Sequence, residues 1–315
     1  MPSPTPDARV EALSAQCAAG GPLSREEAIA LCSGDPLTLG GIANDIRRRH
    51  HGDRVTLVRV RPLAWDAAPA ADAEPADEVR LAGPSPDGAT PADLRSTFDR
   101  IAAAFPGIAV RALRPAEAVA LARASGLTPR LLLGRLADAG LATLVHPAAD
   151  DDPAATREGL LAAHGSGLAT DAPIPYRSRS SAAHLAEVLL ALRDLPAAAG
   201  RFRCAVPLPD SRPDQSPLSG TTGLEDLRVF ACARILLPPA IRVAVEVDFL
   251  GPKLGAVALS FGADTLTGVL AVPTARLTPT DAEAPRPFNA DRARLLLAEA
   301  GREPVPPPPF PSRDA

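Results

Sequence analysis

Short apolar runs rich in β-branched residues alternate with amphipathic stretches along most of this chain. The runs Val55 to Leu63, Val79 to Ala82, Ile108 to Leu113 and Ala142 to Val145 read as strands, followed by Leu168 to Tyr176, Phe202 to Leu208, Ile241 to Phe249 and Leu266 to Val272. The stretches between them carry helix-start signals. Ser24-Arg25-Glu26-Glu27 and Thr222-Gly223-Leu224-Glu225 are capping boxes, in which the hydroxyl and the carboxylate three residues on satisfy each other's backbone donors. Asp35-Pro36, Thr90-Pro91, Thr128-Pro129 and Asp152-Pro153 place a capping side chain before a proline at the first helical position. Strands alternating with helices predict an α/β fold with a parallel sheet, and eight such strands predict a TIM-type (β/α) barrel.

One stretch breaks the alternation. Between Leu63 and Val79, where the first crossover helix belongs, lies an acidic Ala/Pro linker with Pro69 and Pro75. A parallel crossover takes about a dozen residues and is usually helical, and proline opposes that helix. The barrel is therefore expected to be incomplete or distorted around its first crossover. The pattern divides the chain into a flexible extension over 1–20, the barrel over 21–272 and a C-terminal segment over 273–315. That last segment holds one helix, Asn289 to Glu299, and the proline run Pro306 to Pro309, expected to pack outside the barrel or hang free.

A formal net charge of -4 offers no basic surface for nucleic acid, and no apolar run reaches membrane-spanning length. The start lacks the charged and apolar regions of a signal peptide, so a cytoplasmic location is expected. Cys17, Cys32, Cys204 and Cys232 lie far apart, with no C-x-x-C, and the histidines form no H-x-x-x-H pair. Cys204 and Cys232 sit in apolar runs, as buried thiols do. Lys253 is the only lysine in the chain, in the glycine turn after the Ile241 run, where it is either an anion partner or a solvated helix end.

Several segments resemble aminofutalosine synthase, the radical-SAM enzyme of the futalosine route to menaquinone. They include His51-Gly52-Asp53-Arg54, Ala104-Phe105-Pro106-Gly107-Ile108, Leu136-Ala137-Asp138-Ala139-Gly140-Leu141 and Thr222-Gly223-Leu224-Glu225-Asp226-Leu227. The most specific is Leu250-Gly251-Pro252-Lys253 with Leu259-Ser260-Phe261-Gly262-Ala263-Asp264. The resemblance runs from about residue 22 to 306 and implies a radical-SAM barrel. It places Glu117, Asp150, Tyr176, Lys253 and Asp264 at strand C-terminal ends, as a candidate pocket. Each has a structural alternative: a helix first turn for Glu117, a solvated cap for Asp150, packing for Tyr176 and a turn cap for Asp264.

What that family needs and this sequence lacks decides the expected function. Its C-x-x-x-C-x-x-C loop after the first strand, which holds a [4Fe–4S] cluster, is replaced here by the Ala/Pro linker. Its glycine turn after the fourth strand reads His146-Pro147-Ala148-Ala149-Asp150, and its Tyr-Gly-His reads Tyr176-Arg177-Ser178. No cofactor is expected on this reading: no [4Fe–4S] cluster and no secure place for S-adenosylmethionine. The first expectation is a non-catalytic barrel that pairs with or regulates a cysteine-containing homologue of the same pathway. A second is a metal-free enzyme or binding protein for a futalosine-like nucleoside or chorismate-derived acid, with Glu117 or Asp150 as acid/base and Lys253 as anion partner. A third is an interaction protein whose sheet stays open near residues 64–78.

Overall fold

The computed structural model describes residues 6–67, 75–148, 150–178, 180–194, 202–209, 220–270 and 288–310. Three helices, α1 (Pro6–Ala18), α2 (Arg25–Cys32) and α3 (Pro36–His51), precede the first strand, β1 (Arg54–Leu63). Then follow β2 (Glu78–Leu81), α4 (Pro91–Ala104), β3 (Ala109–Arg111), α5 (Pro115–Ala124), α6 (Pro129–Asp138), β4 (Leu141–Thr143) and α7 (Pro153–Gly165). The second half holds β5 (Thr170–Tyr176), α8 (Ala182–Arg193), β6 (Phe202–Pro209), α9 (Gly223–Leu236), β7 (Arg242–Glu246), α10 (Val247–Ala258) and β8 (Thr265–Leu270). The chain ends through α11 (Ala290–Glu299) and β9 (Glu303–Val305).

All the strand pairs are parallel, in the order β4-β3-β2-β1-β8-β7-β6-β5, with β9 added at β1. The sheet is thus an (β/α) barrel with β1 and β8 joined, and the interrupted ladder lies between β4 and β5. There Thr143 Oγ1 donates to Ala169 O at 2.7 Å and Arg111 Nη1 donates to Asp171 Oδ2 of β5 at 2.7 Å, so side chains bridge the seam. The first crossover departs from the usual barrel as expected, with no helix among its described residues. Yet β1 and β2 still pair from Val60↔Glu78 to Leu63↔Leu81. No free sheet edge therefore lies at β1 near residues 64–78, which removes the structural basis of the third expectation.

Period-two alternation separates an outer face from a lumen. Val79, Leu81 and Val110 pack with Leu94, Phe98 and Ile101 of α4. Ala172, Ile174, Val243, Val245 and Leu266 pack with α8 and α9. The intervening residues, among them Glu78, Arg80, Arg111, Asp171 and Glu246, face inward and are charged.

Two local expectations are corrected. The N-terminal stretch is not loosely held: residues 6–18 form α1, and Val10 and Leu13 are buried in the main core. The Ile241 run does not continue as a strand to Phe249, because β7 stops at Glu246 and α10 begins at once. Gly251, at φ 72, breaks α10 there, and Lys253 lies in its second half rather than in a strand-end turn. The proline run, expected outside the barrel or hanging free, packs against the barrel's N-terminal face. β9 pairs beside Arg54–Thr56 at the N-terminal end of β1, and the Phe310 ring lies 4.2 Å from the Arg203 guanidinium in β6. The tail thus spans the N-terminal face of the barrel.

Candidate functional site

A line of ion pairs runs through the lumen. At the end nearer the N-terminal face, Arg203 Nη2 donates to Asp171 Oδ1 at 2.9 Å and Cys204 Sγ contacts the same oxygen at 3.0 Å. A register shift between β5 and β6 sets two residues, Arg203 and Cys204, opposite Asp171. Arg111 Nη1 donates to Asp171 Oδ2 at 2.7 Å, and Arg111 Nε lies 3.2 Å from Glu78 Oε1. Arg80 Nη2 is 3.5 Å from that carboxylate. It also forks onto Glu246, Nη1 to Oε1 at 3.2 Å and Nη2 to Oε2 at 3.1 Å. At the C-terminal mouth His146 Nε2 lies 3.3 Å from Glu246 Oε2 and Arg80 Nη1 is 3.2 Å from Asp248 Oδ2.

The electrostatics follow from burial and pairing. Burial alone would raise the Asp171 and Glu246 carboxyls. Arg111 and Arg203 outweigh it and hold Asp171 well below the usual carboxylate range, and Arg80 with His146 brings Glu246 down to about 2. Burial and the neighbouring Glu246 charge push Asp248 up. Burial and Asp171 push the Cys204 thiol well up, so it is no nucleophile. Glu246 is fully buried, while Asp248 is 55% exposed and Phe249 48% exposed. The polar mouth therefore opens beside an aromatic face. Phe249 makes an edge contact with His146, their ring centroids 6.5 Å apart.

Gly268 makes room for this arrangement. It sits in a register shift of β8 at φ +80, where a Cβ would lie 2.3 Å from Glu246 Oε1. Leu113, buried just past β3, has φ 58, so the chain leaving Arg111 is locally strained.

The five residues named from the sequence do not meet in this mouth. Glu117 caps α5, accepting from Arg114 N at 3.1 Å, and ties it to the β2–α4 loop through Ser85 N at 2.5 Å. Asp150 is exposed. Tyr176 points out of the lumen among Ala172 and Ile174 and donates to Asp226 Oδ1 of α9 at 2.7 Å. Lys253 is exposed. Asp264 precedes β8 and so lies at the N-terminal end of the barrel, the end opposite the mouth. It pairs there with Arg234 and with His51 at 3.3 Å. The residues that do meet, Arg80, His146, Glu246 and Asp248, went unrecognised. For Arg80, Glu246 and Asp248 the signal was a charge at alternate positions of apolar runs, as in Glu78/Arg80 and Glu246/Asp248, where parallel barrels are otherwise apolar, while His146 carried none.

No protein-family model matches the chain. It is 27% identical over 300 residues to 5-amino-6-(D-ribitylamino)uracil--L-tyrosine 4-hydroxyphenyl transferase 2 of Methanosarcina barkeri, covering 79% of this chain and 78% of that one. It is 32% identical over 186 residues to the enzyme of that name from Methanoculleus marisnigri, about half of each chain. In fold it is similar to the FeFe-hydrogenase maturase HydG of Carboxydothermus hydrogenoformans, with TM-score 0.63 and 13% identity over 95% of this chain and 80% of that one. It is also similar to methylornithine synthase, with TM-score 0.57 and 15% identity over 93% and 97%. The α/β barrel is shared with both.

These findings correct the functional expectations. The relatives carry the name of a 4-hydroxyphenyl transferase, not of aminofutalosine synthase, so a menaquinone role, futalosine-like or chorismate-derived ligands and a non-catalytic barrel lose their support. The likeness is to radical-SAM enzymes, which use a [4Fe–4S] cluster and S-adenosylmethionine, and this overturns the expectation of no cofactor. A [4Fe–4S] cluster requires three thiolates gathered at one place. Cys17 is on α1, Cys32 ends α2, Cys204 is in β6 and Cys232 in α9, and no three His, Cys, Asp or Glu side chains gather for a metal among the described residues. The residues present do not fit the cluster, and no step is assigned to it.

Proposed function

We propose that this chain is a transferase barrel of the 4-hydroxyphenyl transferase kind. In this reading it acts in the cytoplasm and binds a ribitylated aminouracil at the mouth formed by Arg80, His146, Glu246, Asp248 and Phe249. The observation that carries the proposal is the buried Glu246 carboxylate at the end of β7, clamped by Arg80 and joined to His146, whose ring meets the half-exposed Phe249 ring. Barrels of this type place their chemistry at that end. A uracil ring presents N–H donors beside carbonyl acceptors, which suit the His146 imidazole next to the Arg80 guanidinium, and its face suits an aromatic ring. A ribityl chain offers hydroxyls to Asp248. Similarity to the Methanosarcina barkeri enzyme over about four fifths of both chains supports the substrate class. A cysteine-bearing companion of the same kind would bring the thiolates this chain lacks.

The protein's own chemistry on this reading is binding and orientation. Thermal unfolding with and without 5-amino-6-(D-ribitylamino)uracil tests it. A rise in melting temperature that saturates with this ligand, and is absent with adenosine, supports the reading. Equal or absent shifts with both contradict it.

A further inference from the structure

We infer that His146 is the proton acceptor of this mouth and that Glu246 and Arg80 are its positioning residues, an assignment that deepens the reading above and rests on it for the substrate. His146 lies just beyond β4, its side chain 8% exposed, and its Nε2 meets Glu246 Oε2 at 3.3 Å. Glu246 comes from β7, on the opposite side of the interrupted β4–β5 seam, so the pair joins the two halves of the barrel at the end where barrel enzymes act. A carboxylate beside one imidazole nitrogen fixes the proton on that nitrogen and leaves the other bare. Here Glu246 engages Nε2, so Nδ1 is the nitrogen left to accept.

Glu246 is itself held from behind. Both of its oxygens are engaged by Arg80, and Gly268 leaves the space its Oε1 occupies. The charged groups facing His146 are Glu246 from β7, Arg80 from β2, Asp171 from β5 and, beyond Arg80, Asp248 from α10. The step is a proton transfer. An N–H or O–H of the bound molecule breaks, its electron pair stays on the substrate nitrogen or oxygen, and the proton forms a new bond to Nδ1. The imidazolium so formed is held by Glu246, as the carboxylate of a catalytic triad holds its histidine. The proton returns to product or solvent by the reverse path.

Nitrogen-15 NMR of histidine-labelled protein, at a pH where the ring is neutral, reads the tautomer directly. The wild type is expected to show His146 with Nε2 protonated and Nδ1 bare, and the Glu246→Gln variant a mixture of tautomers. The same tautomer population in both proteins, or a proton on Nδ1 in the wild type, overturns the assignment. The same spectra with 5-amino-6-(D-ribitylamino)uracil bound then test the transfer. In the wild-type complex His146 is expected to become an imidazolium with both nitrogens protonated, at a pH where the free protein's ring is neutral. A ring that stays neutral in the complex overturns the transfer. No binding at all overturns the substrate class and with it the transfer, while the tautomer result decides the pairing independently.

Discussion

At the scale of single residues, the site depends on a glycine as much as on charges. Gly268 has φ +80 and stands where a Cβ would meet Glu246 Oε1 at 2.3 Å. Gly268→Ala is expected to cost about 2 kcal/mol in urea unfolding, through overpacking and strain together. The change should also loosen the Arg80–Glu246 fork. Tyr176 shows the opposite case, a residue prominent in the sequence that does structural work. Burial and the adjoining Asp226 charge raise its phenol, so it stays a donor. Tyr176→Phe is expected to lose about 1–3 kcal/mol by leaving the Asp226 carboxylate short of a partner, with no effect on ligand binding. Chemical denaturation and a ligand titration of the same variant check both halves.

At the scale of elements, most of the barrel was legible because its helices announce themselves. The capping boxes at Ser24, Thr90 and Thr222 are all formed, and Asp35 and Asp152 cap as their prolines suggest. Strand existence was legible too, from short β-branched runs between those helices. Two things were not. The end of β7 at Glu246 cannot be seen in an unbroken apolar run to Phe249, since a buried strand and a buried helix turn have the same composition. The β4–β5 seam is also invisible, because Leu141–Thr143 and Thr170–Tyr176 look like any other parallel strands. Their separation is a matter of tertiary geometry, bridged by Thr143 Oγ1 to Ala169 O and by Arg111 Nη1 to Asp171 Oδ2. Thr143→Val is expected to destabilise by about 1 kcal/mol. Amide exchange around residues 168–171 should speed up while the β7–β8 ladder keeps its protection. Uniform change across both regions would show that the seam is not a weak point.

At the scale of the whole molecule, the interior is held by charge where such barrels are usually filled by aliphatic side chains. That choice has a pH signature. Glu246 falls from 4.5 to about 2 in the fold, and Asp171 moves in the same direction. Both carboxyls are therefore lower in the folded than in the unfolded chain. Their stabilisation is fully present above about pH 4.5 and is lost as the pH falls through the folded values. For Glu246 the shift corresponds to about 3 kcal/mol, so acid unfolding should begin below pH 4.5 and be blunted in Glu246→Gln. Circular dichroism across that range checks it. The function was less legible than the fold because each of its residues is ordinary in isolation. Only folding brings a charge from β2, one from β7 and a histidine from beyond β4 to the same opening. The sequence drew attention instead to Lys253, alone of its kind, which the structure leaves in solvent.

The central claim is that substrate recognition sits at Glu246 and its neighbours rather than at Lys253. Isothermal titration of 5-amino-6-(D-ribitylamino)uracil into the wild type, Glu246→Gln and Lys253→Ala tests it most directly. The account predicts binding to the wild type, about tenfold or more weaker binding to Glu246→Gln as the carboxylate that holds His146 and Arg80 in place is lost, and wild-type affinity for Lys253→Ala. Equal affinity in the wild type and Glu246→Gln, or loss of binding on removing Lys253, would contradict it.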